Sequence, residues 1–170
     1  EVEANMDSFG TDVIIDPFDT FAERLSLALH SPWQFVLADW LCADSGTPFA
    51  EVMIVPDGLW ILCGFGRFGR AVYAKLAQRG MRVQVIEPEA GLAGLPQGTI
   101  IGFGTEAVTL EEAGVHEAVG IIAGANDDSN NLSIIVTARA LNPGLFAIAR
   151  KTERFNGRLF DTLAADVVMA

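Results

Sequence analysis

Apolar residues recur along this chain at two spacings, and the alternation of the two outlines an architecture. Short runs rich in apolar residues at 59–63, 81–86, 99–101, 118–123, 145–149 and 166–169 predict strands. Between them lie stretches with helical spacing: Ala71, Val72, Ala74, Leu76 and Ala77, then 109–114, 129–141 and 152–164. Gly80 and Asn142-Pro143-Gly144 stand where two of these helices would stop, and Thr109 with Glu112 predicts a capping box for a third. Strands that alternate with helices predict an α/β fold with a doubly wound parallel sheet of six strands.

Ahead of the first strand the pattern changes. Phe18, Phe21, Ala22, Leu25 and Leu29 predict an amphipathic helix capped by Asp19 or Thr20 and stopped by Ser31-Pro32. A second helical or mixed stretch follows at 33–42, then a loop at 43–48 and an extended segment at 51–55 leading to the turn Pro56-Asp57-Gly58. Trp33, Phe35 and Trp40 read equally as core packing against the sheet or as a subunit or interdomain contact. Residues 7–15 can be laid on 161–169, with Asp12-Val13 falling on Asp166-Val167. With a start at Glu1, this predicts that the chain is a piece of a longer, repeated protein. The expected division is a tail of a preceding copy plus crossover helices over 1–56, and a nucleotide-binding unit over 57–170.

The chemistry-bearing signal joins the first strand to the first crossover helix. Gly64-Phe65-Gly66-Arg67-Phe68-Gly69 follows an apolar strand and opens a helix, the order that a dinucleotide fingerprint requires. Gly64 permits the sharp exit from the strand, Gly66 lets a pyrophosphate approach the backbone, and Gly69 lets the helix pack on the sheet. The helix then offers free N–H groups and a positive dipole end to the phosphates. Glu87 closes the second strand eighteen positions after Gly69, where a Rossmann unit places the acid that holds an adenosine ribose. The alternative is a purely structural glycine turn with Glu87 capping a strand.

Composition narrows the field. The chain is 51% apolar, enough for a proper core, and its net charge of −11 argues against nucleic acid and anionic membrane surfaces. Two cysteines are too few for a disulfide scaffold or a zinc site, so a reducing cytosol is the default compartment. No window resembles a membrane span or a signal peptide. Asn126-Asp127-Asp128 reads either as a helix cap or as a divalent-cation site.

The run from Gly64 onward resembles the TrkA N-terminal, or RCK, domain, the cytosolic regulator of K+ conductance on potassium channels and transporters. The resemblance is carried by GFGRFG (64–69), Glu87, GFGT (102–105), LEEAGV (110–115), AGANDDSNN (123–131), ALNP (140–143), AIAR (147–150) and AADVVM (164–169). It implies that the domain binds NAD(H) or an adenine nucleotide (AMP, ADP or ATP). It also implies a homo-oligomer, a dimer or part of a gating ring, acting on an integral-membrane K+ channel or transporter. Arg67 would reach a phosphate, with Gly64, Phe65, Gly66, Phe68 and Gly69 forming the turn. Gly104, Thr105, Ala123, Asn126 and Asp127 would line the adenine and nicotinamide sides. Where the family often has Asp or Asn to bond the adenine amino group, this chain has Phe103, which can only stack or pack. The alternative function is an NAD-dependent oxidoreductase. That reading needs a substrate domain and a proton donor, and His30 and His116 have no matched carboxylate at a recognisable spacing.

Overall fold

A computed structural model describes residues 17–52, 54–152 and 167–169. Helices α1 (Pro17–His30) and α2 (Pro32–Leu41) precede β1 (Leu59–Cys63), α3 (Arg67–Gln78), β2 (Arg82–Glu87) and β3 (Ile100–Ile101). Then come α4 (Ala107–Glu112), β4 (Ala118–Ala123), α5 (Asp128–Leu141), β5 (Phe146–Arg150) and β6 (Val167–Met169). The strand order is β3-β2-β1-β4-β5-β6, and each neighbouring pair is parallel. Strands β1 to β5 carry the described core, and three-residue β6 adds backbone pairing to β5 at the edge.

The apolar runs form central strands because both faces of a parallel sheet are covered by crossover helices. Successive side chains point to opposite faces. Ile61, Cys63, Ile121, Ala123 and Ala147 meet Leu110 of α4 and Ile134, Ile135 and Ala138 of α5. Trp60, Leu62, Val85, Ile122 and Ile148 face the other way, onto Phe68, Val72 and Leu76 of α3 and onto Ala22, Leu25 and Leu29 of α1. Each Val, Leu, Ile or Phe side chain among these contributes about 1.5–3 kcal/mol on removal from water. Gly120 makes room for the Trp60 indole, whose ring would lie 2.4 Å from a Cβ at that position.

Several expectations need correction. Helix α1 starts at Pro17, so Asp19 and Thr20 lie inside its first turn rather than capping it. Proline fits there because the first helical N–H groups have no partner within the helix to lose. The capping box at Thr109 does not form; α4 begins at Ala107, and the Thr109 hydroxyl donates to Glu106 Oε2 at 3.3 Å. Of the two readings open for Trp33, Phe35 and Trp40, core packing does not hold for Trp33 and Trp40, which are 57% and 43% exposed. Trp40 donates its indole N–H to the Thr47 carbonyl at 2.9 Å. The repeat pairing of 7–15 with 161–169 and the expected helix beyond Thr152 fall outside the described residues, the backbone of 167–169 apart.

Candidate functional site

The strand order reverses between β1 and β4, and in open α/β sheets ligands bind beyond the carboxyl ends of the strands at such a point. Both strands end there in glycine. The Gly64 N–H donates to the Ile86 carbonyl and the Gly124 N–H to the Cys63 carbonyl, each at 2.9 Å. These bonds tie the two turns to the sheet. Gly64 has φ +94°, the left-handed region that favours glycine. A Cβ on Gly69 would sit 2.0 Å from the Gly64 carbonyl oxygen, so glycine sets how closely α3 approaches β1. Gly66 is the N-cap of α3, with open space where its Cβ would be and no side chain capping the helix. The turn therefore presents backbone N–H groups at an uncovered helix N-terminus.

Glu87 stands beside this turn and is 7% exposed. Its Oε2 accepts from the Phe65 N–H at 2.6 Å and its Oε1 from the Glu89 N–H at 3.1 Å. Each carboxylate oxygen keeps a further lone pair. The acid thus braces the glycine turn while retaining acceptor capacity for a diol. The Glu87 carbonyl receives the Gly102 N–H at 3.2 Å, which brings exposed Phe103 to the same edge of the crevice.

The remaining expected residues fall into different roles. The side chains of Phe65 and Phe68 are buried in the core on the α3 side, so these residues offer only backbone to the turn. Gly104 is buried against Cys63, whose Sγ would lie 2.7 Å from a Cβ there. Burial pushes the Cys63 thiol up to about 12, which leaves it inert. The Thr105 carbonyl accepts from the Thr137 hydroxyl at 3.2 Å. Ala123 is fully buried beneath α5. Asn126 is exposed, and its Oδ1 accepts from Arg150 Nη1 at 2.8 Å. Asp127 caps α5, accepting the Asn130 N–H at 3.0 Å. Asp128 Oδ1 accepts the N–H and hydroxyl of Thr152 at 2.7 and 2.8 Å. Between cap and cation site, the structure thus gives Asp127 the cap. Among the described residues no group of three His, Cys, Asp or Glu converges to hold a metal.

Arg67, exposed at the first position of α3, lays its guanidinium over the Phe18 ring of α1, 4.7 Å from the centroid. Three contributors were not singled out by sequence. Buried Asn131 straps the loop after β4, bonding Ala125 N and O at 2.9 and 3.0 Å and the Arg150 carbonyl at 2.8 Å. Its signal was an amide sharing one helical face with Ile134, Ile135 and Ala138. Arg150, a charge ending an apolar strand, is half-buried, and desolvation lowers its pKa against the opposing charge of Asp128. Phe18 carried no signal, because only folding brings it to the glycine turn.

A family model described as the TrkA-N domain matches residues 60–170. An uncharacterized protein of Methanothermus fervidus is 35% identical over 103 residues, 57% of this chain and 16% of its own length. Potassium channel protein 1 of Methanocaldococcus jannaschii is 26% identical over 97 residues, 54% of this chain and 29% of its own. The chain thus spans less than a third of the length of either relative. Among solved structures, the GsuK channel bound to NAD is 28% identical with a TM-score of 0.62, covering 69% of this chain and 22% of that one. GsuK bound to ADP matches over 94% of this chain and 36% of that one, with a TM-score of 0.72. At 22% identity it speaks to the fold alone.

Proposed function

The chain belongs to the TrkA-N domain family, and we propose that it is the nucleotide-binding regulatory domain of a potassium-transport protein. It takes NAD(H) or an adenine nucleotide across the glycine turn and biases an associated K+ channel or transporter. The observation that carries this is the pairing of an uncapped α3 N-terminus with Glu87 at the point where the strand order reverses. Support also comes from the relatives: one is a potassium channel protein, and a solved neighbour holds NAD. A ligand in this crevice changes a partner only through its differential affinity for two arrangements of the assembly. We read residues 57–170 as the nucleotide-binding unit and 1–56 as the end of a preceding copy with its crossover helices. We place the domain on the cytosolic side of the membrane, in a homo-oligomer. No helix among the described residues is long and apolar enough to cross a membrane. The reading assigns no catalytic residue.

Calorimetric titration with NAD+, NADH, AMP, ADP, ATP and adenosine tests it. One or more nucleotides bind in the micromolar range, and Glu87→Gln weakens nucleotides and adenosine alike by about tenfold, the worth of one charge-assisted hydrogen bond. Arg67→Ala weakens phosphorylated ligands and spares adenosine. Absence of binding by every nucleotide would sink the proposal.

A further inference from the structure

Two arginines from distant parts of the chain share one aromatic ring beside the glycine turn. Arg67 lies 4.7 Å and Arg150 5.5 Å from the centroid of Phe18. Arg150 also lies 5.3 Å from the ring of Phe68 and is tethered through Nη1 to Asn126, in the loop after β4. Phe18 belongs to α1, and Phe21, one turn on, meets Phe68 edge-to-face at 5.6 Å. The ring is therefore held by the same packing that docks α1 on α3. Among the described residues no carboxylate lies within 4.0 Å of the Arg67 or Arg150 guanidinium, although the Asp128 charge acts on Arg150 from farther off. A cavity of about 330 Å³ opens beside the stack, lined by Phe18, Phe68, Arg150, Lys151 and Thr152. Arg150 and Lys151 supply its two cations, and Arg67 borders the Phe18 ring outside its lining.

A guanidinium over a ring face keeps its N–H edge available to phosphate oxygens; Arg150 spends Nη1 on Asn126 and retains its other N–H groups. Holding two cations near one ring costs mutual repulsion, which the ring quadrupole offsets in part and an anion between them would remove. We propose that Phe18 and Arg150 complete the phosphate subsite: the ring, delivered by the helix ahead of the nucleotide-binding unit, seats Arg67 and Arg150 as a pair for ligands bearing two or more phosphates. Phe18 is a positioning residue that acts through the arginines. Helix α1 is thereby linked to ligand occupancy, since whatever lifts α1 disperses the pair. The proposal rests on the nucleotide reading above.

Titrating the chain with ADP, AMP and adenosine tests it. Phe18→Leu keeps the apolar volume but removes the π face, and it weakens ADP by about fivefold while leaving adenosine unchanged. Phe18→Tyr restores the ring and returns ADP to within about twofold of the parent. Arg150→Gln costs ADP more than AMP. If Phe18→Leu lowers ADP and adenosine together, or Phe18→Tyr fares no better than Phe18→Leu, the ring only packs and the proposal is overturned. If the parent binds ADP and Glu87→Gln weakens it while Phe18→Leu leaves the ADP-to-adenosine ratio unchanged, this inference falls alone. If the parent binds no nucleotide, both readings fall.

Discussion

One face of the sheet is closed by α4 and α5, crossover helices that lie within the matched unit. The opposite face is closed by α3 and by α1, a helix that lies ahead of it. On the first face Leu110, Ile135 and Ala138 are almost wholly buried against Ile61, Ile121 and Ala147. On the second, Ala22, Leu25 and Leu29 of α1 cover Trp60, Leu62, Ile122 and Ile148 alongside α3. The difference teaches that burial need not be local to be complete. A sheet built from β1 onward takes part of its cover from an upstream element, and that element brings Phe18 to the edge of the site. Damage to the first face should therefore cost stability alone, whereas damage to the second should reach the ligand as well.

The largest effect is expected at the seam between α3 and β1. Gly69→Ala drives a Cβ against the Gly64 carbonyl, where only backbone movement gives relief. A loss of about 4 kcal/mol, at the high end for overpacking, should show in denaturant unfolding, with the glycine turn displaced and nucleotide binding gone. A variant that melts with the parent would mean that α3 can slide without consequence.

Next come matched truncations on the two faces. Leu25→Ala on α1 and Ile135→Ala on α5 each remove a fully buried side chain and should cost about 3 kcal/mol. They should separate in binding: Leu25→Ala also lowers ADP affinity because it loosens the helix that holds Phe18, and Ile135→Ala does not. Equal binding losses would erase the contrast between the faces.

The smallest effect concerns the polar clasp of α1 on α3. Glu23 pairs with Lys75 at 3.2 Å and Arg79 at 2.9 Å, and Lys75 also reaches Asp19 at 3.3 Å. The Lys75 hydrogen bond, foremost among these contacts, holds the Glu23 carboxyl below its ordinary value of 4.5. A depressed folded pKa means stability that is present above pH 4.5 and lost as the pH falls through the folded value. The two carboxylates are exposed and the two cations partly so, so solvent screens the pairs. Glu23→Gln should lower the Tm at pH 7 by only about 1 °C, and the loss should shrink as the pH falls below 4.5. An equal loss above and below pH 4.5 would assign the effect to packing.

The alternation of apolar runs with helical spacing, and the glycines placed between them, determined the parallel sheet and the position of the glycine turn. Period and backbone permission are local properties, and β1 and β4 run over the residues that their apolar runs span. The same locality put Glu87 at the end of β2. Helix starts were less legible at α1 and α4, because a cap is chosen by the hydrogen bonds available after packing and not by residue type alone. Sequence left open whether Trp33, Phe35 and Trp40 were core or contact, and only the tertiary structure showed that Trp33 and Trp40 stay exposed. It also decided that Arg67 stacks on Phe18, that Asn131 straps the loop after β4, and that Arg150 joins the site. The Arg67–Phe18, Asn131–Arg150 and Arg150–Asn126 contacts join residues well separated in the chain. Their pairing is set by how α1 and β5 dock on the sheet, and no local pattern records where a helix will dock.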